Sequence, residues 1–173
     1  MPRIAVISDV HGNVPALEAV LEDLERVHPD EVLVGGDLVG RGPQGSAVVR
    51  RIAERGWRTI RGNHEEYLLE FRNGQVPSDW LHAEEWSAAR WMAEELGAEE
   101  ARWIAALPFS TRSRLAPGLR LVHGTPRSNR EGIGPWLREH HLAAHLAAVE
   151  EDLLVCAHTH RPLHREVDGG VVV

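Results

Sequence analysis

Apolar and polar positions follow two different periods along this chain. Ile4-Ala5-Val6-Ile7 is a continuous apolar run of buried-strand length. Leu17, Val20, Leu21, Leu24 and Val27 then recur at helical spacing, with Glu18, Glu22 and Glu25 between them. Asn13 and Pro15 suit the cap and first turn of that helix, and His28-Pro29-Asp30 ends it. Glu31 to Val34 reads as a second strand, so the opening of the chain predicts a parallel pair joined by a right-handed crossover. A helix is expected from about Ser46 to Arg55, with Val48, Val49 and Ile52 inward and Gly56 as its stop. Trp57 to Ile60 predicts a third strand, followed by a short helix with Tyr67, Leu68 and Phe71 on one side.

Residues 79–107 predict two helices separated near Gly97. Trp80, Trp86, Trp91 and Trp103 fall there and read as core or cap packing, with a place at a substrate entrance as the alternative for one or two of them. Beyond Leu107-Pro108 the pattern becomes strand-rich. Strands are expected at Phe109 to Leu115, Leu119 to Val122 and Leu153 to Cys156, with a helix from about Pro135 to Val149. Asp168-Gly169 marks a closing hairpin. No internal repeat or linker interrupts the chain, so residues 1–173 read as a single α/β domain.

Composition narrows the class. A chain of 173 residues with 43% hydrophobic and 26% charged positions can bury a substantial core. No apolar run approaches the roughly 18 residues of a membrane span, and Met1-Pro2-Arg3 does not open a signal peptide. Cys156 is the lone cysteine, which rules out an internal disulfide framework. These features fit the cytoplasm. A net charge of −7 argues against a broad nucleic-acid-binding face. All 19 basic residues are arginine, so no lysine is present to form a Schiff base or a P-loop.

The candidate chemistry lies where the predicted strands end. Asp9-Val10-His11, Gly36-Asp37, Gly62-Asn63-His64, His123-Gly124 and His158-Thr159-His160 each follow a strand, at the edge where α/β folds bind ligands. Asp9, His11, Asp37, Asn63, His123, His158 and His160, with His64 beside them, offer oxygen and imidazole donors without thiolate. Such a set suits Mn, Fe, Zn or Co, with Mn favoured. It is too large for one ion and about right for two. Two ions roughly 3.5–4 Å apart need a bridging carboxylate and can hold a hydroxide for in-line attack on phosphorus. Asp37 is the natural bridge.

These five stretches, in this order, resemble the signature blocks of the calcineurin-like metallophosphoesterases. Gly40 to Pro43 and His123-Gly124-Thr125-Pro126-Arg127 point toward the small bacterial phosphodiesterase branch. The resemblance implies two mixed β-sheets packed face to face with helices outside, a four-layer α/β/β/α fold. It implies a first metal on Asp9, His11, Asp37 and His160, and a second on Asp37, Asn63, His123 and His158. His64 would then stand over the substrate, donating a proton to the leaving oxygen or steadying phosphoryl oxygens. The implied substrate is a small phosphomonoester or phosphodiester, and a homo-oligomer is compatible with it.

Gly36 to Gly42 and Arg61 to Glu65 also look like protein serine/threonine phosphatases and dinucleoside-polyphosphate hydrolases. In the former an arginine at the position of Arg41 contacts phosphate. A non-catalytic scaffold of the same fold is a third reading, and an intact ligand set speaks against it. Two departures stand out. Ala157 occupies a position where the family usually has glycine. The family also continues past the final hairpin with an Asn-Pro-Gly-Ser stretch and further strands, which leaves open that this chain is a fragment lacking them. Among the other histidines, His28, His82 and His164 read as solvated, and His140, His141 and His145 as a polar helix face.

Overall fold

The computed structural model describes residues 2–173. Strands β1 (Ile4–Ile7), β2 (Glu31–Val34) and β3 (Arg58–Thr59) form one sheet in that order, parallel throughout. Helices α1 (Val14–Val27) and α2 (Gly45–Arg55) lie in the two connections. A parallel pair cannot be closed by a hairpin, so each crossover carries a helix. Ile7 pairs with Val34, and Val34 with Thr59, so the three strands end level and their following loops leave the same edge.

The second sheet runs β4-β5-β6-β8-β7 and is mixed. β5 (Leu119–Val122), β6 (Leu153–Val155) and β8 (Gly170–Val172) are parallel. β4 (Ser110–Arg112) and β7 (Arg165–Val167) add antiparallel at the edges, the latter through the Asp168-Gly169 hairpin. Mixed pairing, expected of both sheets, is therefore found in the second alone.

Packing supplies the layers. Leu33 and Ile60 bury against Leu119 and Leu121, joining the sheets face to face. α1 and α2, with α3 (Asn63–Arg72), α4 (Ser87–Glu95) and α5 (Ala98–Ala105), bury Leu17, Val48, Ile52, Leu68, Met92 and Ile104 over the outer side of the first sheet. α6 (Glu139–Leu146) covers the second with Leu142 and Leu146 against Val122, Leu154 and Val172. Among the described residues, no helix is long and apolar enough to cross a membrane.

Three local expectations change. α1 buries Leu17 and Leu21, whereas Val20 and Val27 stand 40% and 39% exposed. β1 is an edge strand, and part of the α1 stripe looks into an open groove beside it. Residues 78–86 form short 3-10 turns, Ser78–Leu81 and Glu84–Trp86, and α4 begins only at Ser87. Trp80 and Trp86 stack there at 3.7 Å, and Arg90 donates to the carbonyls of Trp80 and Ala83. Those side-chain contacts satisfy backbone groups that a longer helix would have paired internally. α6 is shorter than expected, because Arg138 is extended at its start and the chain before it turns through the Leu137 N–H to Gly134 carbonyl bond.

Candidate metal centre

The strand-end loops meet on one edge of the sandwich, and their backbone is unusual. Among the described residues, the non-glycine positions with positive φ are Asp9, His11, His28, Asp37, Arg41, His158 and His160. All but His28, which caps α1, are residues that the sequence marks for chemistry. Left-handed backbone at such residues costs roughly 1–3 kcal/mol each and persists where the surroundings over-determine it. Here they do. Asp9 N–H donates to the Gly36 carbonyl (3.0 Å), His11 N–H to that of Asp37 (2.9 Å) and Gly12 N–H to that of Leu38 (2.8 Å). Ala157 is not among the positive-φ residues, so alanine in place of glycine carries no backbone penalty there.

The side chains gather in groups about Asp37, which is buried. On one side, His11 Nε2 lies 3.7 Å from Asp37 Oδ2, 3.8 Å from Asp9 Oδ1 and 3.3 Å from His160 Nε2. His160 Nε2 is 3.1 Å from Asp9 Oδ1. On the other side, His123 Nε2 lies 3.4 Å from Asp37 Oδ1 and 2.9 Å from Asn63 Oδ1, which also meets His158 Nδ1 at 2.8 Å. The two oxygens of one carboxylate thus face two separate donor sets. Backbone carbonyls orient two of the rings: Nδ1 of His11 faces the Val39 carbonyl at 3.1 Å, and Nδ1 of His123 that of Gly35 at 2.8 Å. With Nδ1–H donating, Nε2 is left free for a cation, the arrangement that metal-binding histidines use.

The donors fit metal ions. Within Asp9–His11–His160 and within Asp37–His123–His158, the ligand atoms all lie within 4.8 Å of one another. His11, Asp37 and His64 make a third such group, since His64 Nε2 approaches Asp37 Oδ2 at 4.0 Å. Nitrogen and oxygen donors without sulfur suit the divalent first-row metals. Burial opposes charge on His123, yet the Asp37 carboxylate outweighs it and raises this histidine to about 9. Burial pushes Asp37 up, and His123 more than reverses that, holding it below the ordinary carboxylate range. His11 and His158 are lowered, chiefly by burial.

Glu65 has a part that its place in the Gly-Asn-His-Glu stretch did not reveal. It is fully buried and accepts from the N–H groups of Asp37 (2.8 Å), Leu38 (2.8 Å), Val39 (3.1 Å) and Gly62 (2.8 Å). One carboxylate therefore ties the loop bearing Asp37 to the start of the helix bearing Asn63 and His64. Burial and then the Asp37 charge raise it to about 7, against the pull of those N–H donors. The available signal was its position three residues after the Gly62 cap, the acidic place of a capping box. Arg41 is exposed on its loop, where Gly40 packs directly against the His64 ring. The structure thus brings all eight donor candidates together, with Arg41 at their rim.

A two-sheet α/β fold with an oxygen–imidazole cluster at its strand ends defines a class of phosphoesterase. The chain belongs to the calcineurin-like phosphoesterase family, whose pattern matches residues 2–162. It resembles a metallophosphoesterase from Sphaerobacter thermophilus, with 30% identity and a TM-score of 0.77 over 96% of this chain and 64% of that one. A symmetrical bis(5′-nucleosyl)-tetraphosphatase of Nitrosococcus oceani is 31% identical over 69% of this chain and 42% of its own length. Serine/threonine-protein phosphatase 1 of Salmonella typhimurium is 31% identical over 59% of this chain and 48% of its own. The chain spans less than two thirds of each.

Proposed function

We propose that this chain hydrolyses small phosphate esters with the help of two divalent ions. Asp9, His11, Asp37 and His160 would hold the first, and Asp37, Asn63, His123 and His158 the second. The observation that carries this reading is Asp37, whose Oδ2 faces His11 and whose Oδ1 faces His123. When bound, the ions supply Lewis acidity and a nucleophile for in-line attack on phosphorus. The chain's own residues do the rest. Glu65 holds the two ligand-bearing loops in register, and the carbonyls of Val39 and Gly35 fix the histidine rings.

His64 stands beside Asp37 without belonging to either proposed ligand set. Burial, opposed by Asp37, lowers it to about 4, which suits an N–H donor to a phosphoryl oxygen. Proton delivery to the leaving oxygen is the other role its position allows. His64→Ala should retain both metals and lose on the order of 10²–10³ in turnover, as for one lost donor to developing charge. An equal loss on good and poor leaving groups identifies the hydrogen-bonding role, and a loss that shrinks with good leaving groups identifies the acid.

The decisive experiment strips metal from the protein and reloads it with Mn, Fe, Zn or Co against phosphomonoesters, phosphodiesters and dinucleoside polyphosphates. Hydrolysis should return only with metal, and Mn is the favoured ion. Full activity in metal-free protein would sink the reading. The Salmonella relative favours a second one, in which Arg41 grips a terminal phosphate through its two-pronged guanidinium. Arg41→Ala should then lower kcat/KM more for monoesters than for diesters, and an equal fall would remove that reading.

A further inference from the structure

Among the described residues, Trp136 is the most exposed large hydrophobic side chain, at 61%. Its place is not that of a loose surface residue. The six-membered ring of the indole lies where a Cβ on Gly134 would be, so only glycine gives it a seat. Gly132 is a second such position. A Cβ there would fall 2.6 Å from Thr159 Cγ2, 3.4 Å from His158 Cδ2 and 3.9 Å from Trp136 Cζ2. One point in space therefore touches both a proposed metal ligand and the indole.

The segment that carries this arrangement is fixed at several places. Asn129 is buried and donates through Nδ2 to the Arg61 carbonyl (3.0 Å) and Glu66 Oε1 (2.8 Å), on the chain just before and within α3. Ile133, between the two glycines, is 1% exposed in the core beneath α6. The indole thus rests with one side on a glycine floor, while most of its surface faces solvent at the edge of the ligand cluster. A large aromatic face held open costs hydrophobic free energy in the free protein and returns it when a ring covers it.

We propose that Trp136 is the ring-binding platform of this site, and that its substrates are phosphate esters bearing a planar aromatic ring. A phosphoryl group held at the metal centre would send its substituent past Thr159 and His158, whose side chains pack over Gly132, toward the exposed indole that Gly134 seats. Stacking of this kind accepts any flat ring, a nucleobase or a simple aryl group. This inference rests on the phosphoesterase reading and deepens it by naming the substrate class.

The test compares wild type, Trp136→Ala and Trp136→Phe, each loaded with Mn, on adenosine 5′-monophosphate, phenyl phosphate and glycerol phosphate. Trp136→Ala should raise KM for the ring-bearing esters on the order of tenfold and leave kcat and the ring-free ester unchanged. Trp136→Phe should restore most of the loss. An effect on the adenosine ester alone assigns the platform to nucleobases, and one on phenyl phosphate alone to aryl esters; either supports the proposal. Equal loss on glycerol phosphate, or no loss on either ring-bearing ester, overturns it. So does unchanged kinetics with altered self-association, which would make the indole a protein contact. A second readout needs no turnover. Adenosine 5′-monophosphate should quench the emission that wild type has and Trp136→Phe lacks. If wild type hydrolyses none of the three esters, the monoesterase reading falls and the diester panel decides the phosphoesterase one, while presence or absence of that quenching decides the platform by itself.

Discussion

The loops at the strand ends and the segment from residue 73 to residue 97, outside α4, are both irregular, yet they are held by different forces. The first group is buried and polar. Asp37, Asn63, Glu65 and His123 are each at most 5% exposed, and their conformations are closed by backbone bonds between loops. The second is half-buried and aromatic. Trp80, Trp86, Tyr67 and Phe71 meet ring to ring, and Arg72 and Arg90 close its backbone by donating to carbonyls. A buried polar network fails as a unit, because any lost partner leaves a desolvated group unpaired. A ring cluster loses contacts one at a time. The difference explains how a site can carry left-handed backbone at several ligand positions while a neighbouring cap tolerates simple short turns.

The sharpest way to break this contrast is Asp37→Asn. It removes charge from both donor sets at once and should cost more than the roughly 10²–10⁴-fold of a lost proton donor. Metal analysis checks it, and two ions retained in Asp37→Asn would contradict the bridging role. Glu65→Ala comes next. It strands the N–H groups of Asp37, Leu38, Val39 and Gly62, and at about 1–3 kcal/mol for each unpaired group the protein should lose about 4 kcal/mol or more. Denaturant unfolding measures this, and a loss below about 1 kcal/mol would show that water replaces the carboxylate freely.

Metal loading should depend on pH. In the metal-free protein Asp37 holds His123 protonated up to about 9, from an ordinary value of 6.5. The raised value means that the folded state keeps a proton the unfolded chain would release. The stabilisation from that ion pair is therefore complete below about 6.5 and is lost as pH rises through about 9. Coordination through Nε2 needs the neutral ring, so metal affinity should climb in the same window, about tenfold per pH unit for one expelled proton. Metal titrations at two pH values below 9 test this, and a pH-independent affinity would remove the ion pair from the account. The smallest effect belongs to the cap. Trp80→Leu should cost about 1–2 kcal/mol through lost stacking and burial, with metal affinity unchanged. Altered metal binding in that variant would mean that cap and site are a single unit.

Much of this was legible in the chain before any coordinates. Apolar periods located the helices and strands, and the acid, amide and imidazole stretches after them named every donor that converges on Asp37. Local chemistry decides such features: a buried strand needs an apolar run, and a ligand needs a lone pair. Tertiary structure alone decided the rest. Whether Val20 and Val27 are covered depends on what lies beyond an edge strand. Whether residues 78–86 continue a helix depends on which rings stack across the turn. The role of Glu65 depends on four N–H groups from two loops, up to 28 residues away along the chain. The seat of Trp136 depends on two missing Cβ atoms and on a histidine brought in from another strand. Periodicity reports how a residue relates to its own segment, whereas these contacts are set by which other segments arrive beside it.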